Sequence, residues 1–122
     1  MKRVLILIFT TIIFLFGCSN DDNSSEVRIR IANISQFDFQ NIVVTTTTFE
    51  DTKSGENTDY KMFEFAYRYA FIELEIEGNT HTLQPIDFVG ETPLKNGNYT
   101  YQIDANDSQG RYGKLSLTLV EN

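Results

Sequence analysis

Few residues in this chain could start a reaction. There is one histidine, His81, and one cysteine, Cys18. A Ser-His-Asp relay would need His81 as its base, but no G-x-S-x-G surrounds any serine and no second histidine exists. His81 therefore reads as a rim histidine beside a hairpin tip, with its own hydrogen bonds satisfied. Glu73, Glu75 and Glu77 recur at strand spacing. Carboxylates two apart on a strand sit about 6.5–7 Å apart at the backbone, within the range of an inverting glycosidase pair. One of them would also need a pKa raised by burial, and strict alternation puts all three on the polar face. Asp104 to Gly110 has the oxygen density of a calcium loop. It lacks glycine at the sixth position and glutamate at the twelfth, where Leu115 stands, so it reads as a hairpin turn. No metal site and no catalytic group are expected. Among six tyrosines, Tyr67, Tyr69 and Tyr112 are the candidates for an exposed surface on which a sugar ring could stack.

The remaining chemistry is at Cys18. Lys2 and Arg3 precede an apolar run from Val4 to Phe16, broken only by Thr10 and Thr11. This run is shorter than the roughly 20 residues a membrane span needs and has the size of a secretory h-region. It ends in Leu15-Phe16-Gly17-Cys18, which resembles the lipobox of bacterial lipoproteins. The resemblance implies cleavage before Cys18, a diacylglyceryl group on its thiol and an acyl group on the new N-terminus. Each buried CH₂ contributes about 0.8 kcal/mol, so two or three chains hold a protein firmly. Without the resemblance, the same residues allow a free thiol in a cytosolic or secreted protein, or an uncleaved anchor. Ser19 to Ser25 has nothing to bury and is expected to be a flexible tether. Its Asp21-Asp22 pair is similar to the surface-export signal of Bacteroidetes lipoproteins. That likeness implies display on the outer face of the outer membrane. A merely solvated tether, with the protein on the periplasmic face, is the alternative.

Composition narrows the partners. The chain has 122 residues and a net charge of −7; removing residues 1–17 takes away Lys2 and Arg3, leaving 8 basic against 17 acidic residues, or −9. Such a body is repelled by phosphate backbones, so no nucleic acid is expected. Beyond Cys18 there is no thiol for a disulfide or a thiolate metal site.

The elements that must carry these residues are strands. Glu26 to Ala32 alternates, with Val27, Ile29 and Ile31 on one face. Asn41 to Phe49 is rich in β-branched residues and reads as a second strand. Thr58 to Tyr67 fits a strand or a short helix, with aromatics favouring strand. Tyr69 to Glu77 and Thr80 to Gln84 form a hairpin through a Gly78-Asn79 turn of type II′, pairing Ile76 with His81 and Leu74 with Leu83. Pro85 stops that strand, and a long connection runs from Ile86 to Asn96. Tyr99 to Ile103 and Tyr112 to Val120 complete the set, the latter with Leu115, Leu117 and Leu119 inward. Arg28 and Arg30 are expected beside Glu73, Glu75 and Glu77 on one outer face. About seven short strands without a helix predict an all-β antiparallel sandwich over residues 26–122, after a signal peptide (1–17) and an acylated tether (18–25). Leu94-Lys95-Asn96-Gly97-Asn98-Tyr99-Thr100-Tyr101 resembles the entry into a strand in transthyretin-like and immunoglobulin-like sandwiches, and supports that fold class.

The functional expectation is a non-enzymatic binding or accessory module at the outer membrane, meeting an envelope protein or a glycan. The alternatives are a carbohydrate-binding accessory of a glycan-uptake system and a periplasmic hydrolase inhibitor.

Overall fold

Eight strands arise where β-branched and aromatic residues alternate with polar ones. They are β1 (Val27–Asn33), β2 (Gln40–Val44), β3 (Thr47–Phe49), β4 (Lys61–Phe63), β5 (Ile72–Ile76), β6 (Asn79–Leu83), β7 (Gly97–Ala105) and β8 (Leu115–Glu121). This computed structural model describes residues 26–85 and 91–122. The expected signal peptide, Leu15 to Cys18, Asp21, Asp22 and residues 86–90 of the long connection lie outside the described residues. One sheet has the order β4-β1-β7-β8 and the other β3-β2-β5-β6. All strand pairs are antiparallel except β1 with β7, which run parallel. The architecture is the expected β-sandwich.

The inward faces are those that alternation predicts. Val27, Ile29 and Ile31 of β1, Ile72, Leu74 and Ile76 of β5, and Tyr99, Tyr101 and Ile103 of β7 are all buried. Leu115 is buried with them, while Leu117 and Leu119 pack against the core only partly covered. Tyr99 Oη donates to the Lys95 carbonyl, 2.7 Å away, a tyrosine-corner arrangement in which the hydroxyl ties the strand to the turn before it. The flank between β3 and β4 is clipped by Phe49 stacked on Phe63, 6.2 Å between centroids, and by Lys61 beside Glu50 at 3.7 Å. The Glu50 carboxyl is held below its usual range, first by the Asp59 N–H that donates to it, then by its own backbone N–H and by Lys61.

Several local expectations are corrected. The stretch 41–49 is two strands, because the chain reverses at Thr45-Thr46, where Thr45 takes a φ of 59°. Of 58–67 only Lys61–Phe63 is strand. The residues after it leave one sheet to cross to the other and can pair with neither. The β5–β6 turn is Glu77-Gly78, with φ of 53° and 83°. Positive φ at both central residues is type I′, not II′. The register therefore moves by two: Leu74 pairs with His81 and Ile72 with Leu83. A shift of two leaves every side chain on its predicted face, so the core is unaffected. Arg28 and Arg30 lie in the other sheet from Glu73 and Glu75, so the expected offset of their charges does not occur. Arg28 stands 3.9 Å from Glu26, while Arg30 donates to Thr100 Oγ1 and covers the Tyr60 ring.

Candidate functional site

The sandwich has two ends of different chemistry. At one end stand Val27, Phe63 and Gly97 of the first sheet, which share one register position, and Val44 and Ile72 of the second, which also pair. The chain arrives here at Glu26. At the other end stand Asn33, Ala105 and Leu115 with Gln40, Ile76 and Asn79, closed by the β7–β8 loop, 106–114.

At the Glu26 end, residues 64–71 carry the chain from β4 to β5 as Glu-Phe-Ala-Tyr-Arg-Tyr-Ala-Phe, symmetrical about Arg68 from Phe65 to Phe71. Ala66 and Ala70 turn inward and are buried. Three hydrogen bonds fix the backbone. The Leu94 N–H donates to Ala66 O at 2.8 Å and the Thr45 N–H to Phe71 O at 2.9 Å. The Tyr101 hydroxyl donates to Tyr67 O at 2.5 Å. Burial pushes the Tyr101 phenol well above its ordinary value, so it remains a neutral donor. With the alanines inside, the rings point outward: Phe65 is 64% exposed and Tyr69 49%. They rim an apolar cleft of about 310 Å³ shared with Phe63, Tyr67 and Phe71. Tyr67 and Tyr69 are thus brought together. Tyr112, 59% exposed, is not with them: it lies in the 106–114 loop, bridged to Thr82 of β6 with Arg111 over its ring. The three tyrosines do not form one strip.

At the far end, a groove runs on both sides of Phe37. One part, about 230 Å³, is lined by Phe37, Glu77, Asn79, His81, Asp107 and Gln109, with Ile76 and Lys114. The other, about 300 Å³, adds Gln36, Asp38 and Gln40. His81 is buried on the inward face of β6, deeper than a rim position. Its Nδ1 faces the Gly110 carbonyl at 2.9 Å. A carbonyl only accepts, so Nδ1 carries the proton in this bond. Glu73 is ion-paired to Arg111 at 2.8 Å, Glu75 accepts from Asn41 Nδ2 at 3.0 Å, and Glu77 sits in the turn beyond the strand.

The calcium-like loop has a cation of its own. Lys114 is buried, and its Nζ donates to Asn106 O at 2.6 Å and Ser108 O at 2.9 Å. It also lies 4.5 Å from the Phe37 ring centroid. The carbonyls a metal would use are already engaged by an ammonium, and the stretch is the expected hairpin turn, joining β7 to β8. Among the described residues no group of three His, Cys, Asp or Glu side chains could hold a metal ion.

Sequence reasoning missed the residue that shapes this groove, Asn33. Its amide is fully used: Nδ2 donates to Phe37 O at 2.7 Å and Thr52 O at 3.1 Å, and Oδ1 accepts from the Ser35 N–H at 2.9 Å and Ser35 Oγ at 2.7 Å. The loop bearing Phe37 is therefore built around one buried amide. The only sequence signal was an asparagine with a serine two residues on, which is the spacing of an Asx turn.

Fold and site together define an all-β sandwich with an aromatic cleft at one end and an amide- and carboxylate-lined groove at the other. No protein-family model, curated protein or solved structure matches the chain.

Proposed function

We propose that this chain is a lipid-anchored protein of the outer membrane, held through Cys18, displayed on the cell surface, and acting as a non-enzymatic binding module. The anchor rests on the likeness of Leu15 to Cys18 to a lipobox, and the display on Asp21 and Asp22. The observation that carries the binding role is the groove around Phe37, at the end of the sandwich remote from Glu26. It lies opposite the end at which the described chain begins and is preorganised by the Asn33 amide, which lowers the ordering cost of a bound partner.

A second reading is favoured by the groove's lining: the ligand is a glycan of the kind handled by an uptake system. Side-chain amides and carboxylates suit sugar hydroxyls, and the Phe37 ring offers an apolar patch among them. The test is capture from intact cells by the wild-type protein and by Phe37→Ala with Gln40→Ala, alongside titration with surface polysaccharides. We expect the double variant to stay folded, with a melting temperature lowered by the loss of the partly buried Phe37 ring, and to lose at least tenfold in affinity, measured well below that temperature. Unchanged capture by the double variant would remove the groove from the proposal.

A further inference from the structure

We infer that the exposed aromatic turn, Phe65 to Tyr69, is a surface that rests on the lipid interface, so that the anchored domain stands on this end with its polar groove outward. The inference rests on the proposal that Cys18 is acylated. Four observations carry it.

The first is register. β4 pairs antiparallel to β1 with Val27 opposite Phe63. Continuing past Phe63 therefore carries Phe65 toward the side from which the chain arrives at Glu26. The first described residue and the exposed ring thus lie at the same end of the domain. The second is length. Eight residue steps separate Cys18 from Glu26, and eight residues span at most about 28 Å whatever their conformation. Glu26 thus stays within about 28 Å of an acylated Cys18.

The third is chemistry. Phe65 and Tyr69 are among the most exposed large apolar side chains described, and they rim the apolar cleft. An aromatic ring with a polar tip suits the headgroup boundary, where tyrosines concentrate. The flanking charges, Glu64 and Arg68, oppose each other, so attraction here is apolar rather than electrostatic. The fourth is rigidity. The hydrogen bonds to Ala66 O, Tyr67 O and Phe71 O, together with the buried Ala66 and Ala70, hold the rings outward. They cannot fold back into the core to hide.

The chain has no tryptophan, so a single introduced indole reports depth directly. Full-length chains carrying Phe65→Trp or Ile34→Trp are purified from the membrane and placed in phosphatidylethanolamine–phosphatidylglycerol vesicles with brominated acyl chains. Ile34 is 49% exposed at the far end, just after Asn33, and serves as the reference. The mass of the Cys18 peptide is read on the same samples. We expect bromine to quench the Phe65→Trp indole at least threefold more strongly than the Ile34→Trp indole. Equal quenching, or stronger quenching at position 34, on a chain whose Cys18 is acylated overturns the inference and leaves the anchor intact. A blue shift at position 65 that grows with protein concentration without bromine quenching assigns the turn to a second copy and also overturns it. An unacylated Cys18 removes the anchor proposal and this inference with it.

Discussion

Tyr101 shows how one buried group ties the core to the surface. Its ring lies in the middle of β7, 1% exposed, and its hydroxyl holds the Tyr67 carbonyl of the crossover. The folded-state pKa is raised above the ordinary value of about 10, with burial as the dominant cause. The sign follows from proton binding: above pH 10 the unfolded chain loses this proton while the folded one keeps it. The stabilisation is fully present below pH 10 and is lost as pH rises toward the folded value. Tyr101→Phe removes the hydrogen bond, which costs about 1 kcal/mol at pH 8. Between pH 8 and pH 11 the wild type should lose about 1.4 kcal/mol more than the variant, the difference made by this single ionisation. Urea midpoints of both proteins at the two pH values check this, and parallel losses would show that Tyr101 ionises freely in the folded state.

At the scale of elements, what could be read from the chain was its short-range periodicity. Val27-Arg28-Ile29-Arg30-Ile31 and Ile72-Glu73-Leu74-Glu75-Ile76 carry their burial in their alternation, and both lie where alternation puts them. Two kinds of feature were not legible. One is a turn made by residues that disfavour it. Threonine and glutamate rarely take positive φ, so the local pattern runs on through Thr45 as strand and makes Glu77 the strand's end rather than the first turn residue. The other is anything set across the sheets. That Lys114 would fill the 106–110 loop, that Asn33 would bind Thr52, and that Arg28 and Glu73 would lie in different sheets depend on pairings no local pattern specifies. Of the candidate tyrosines, Tyr67 and Tyr69 meet because they are close in sequence, whereas Tyr112 is placed elsewhere by the β7–β8 loop. The Glu77 turn gives a direct test. Type I′ turns favour Asn-Gly, and a longer side chain at φ 53° carries strain that asparagine tolerates better. Glu77→Asn should raise stability by about 0.5–1 kcal/mol, read as a shift in denaturant midpoint with no change in slope. An unchanged or lowered midpoint would mean that Glu77 contributes more to the groove than its backbone costs.

The molecule as a whole is polar in the geometric sense. A nine-residue strand such as β7 runs about 30 Å, and that length separates the aromatic end, where the chain arrives, from the groove end. With Phe65 to Tyr69 resting on the lipid interface, the groove stands roughly 30 Å from the bilayer. That distance has a use only on the side of the membrane where the partner lies, and in the proposal Asp21 and Asp22 are the residues that select the side. Asp21→Asn with Asp22→Asn removes both charges while leaving residues 26–122, which hold every buried side chain described, unaltered. The double variant should therefore melt within 1 °C or so of the wild type, since surface changes away from packed features move stability by less than about 0.5 kcal/mol. It should still be acylated at Cys18 and still fractionate with the outer membrane. What should change is access: protease added to intact cells is expected to remove most of the wild type and to spare most of the variant, with both cleaved once the cells are opened. Equal shaving of the two on intact cells would show that these carboxylates do not choose the face. A wild type protected on intact cells would put the groove in the periplasm, with its partner there.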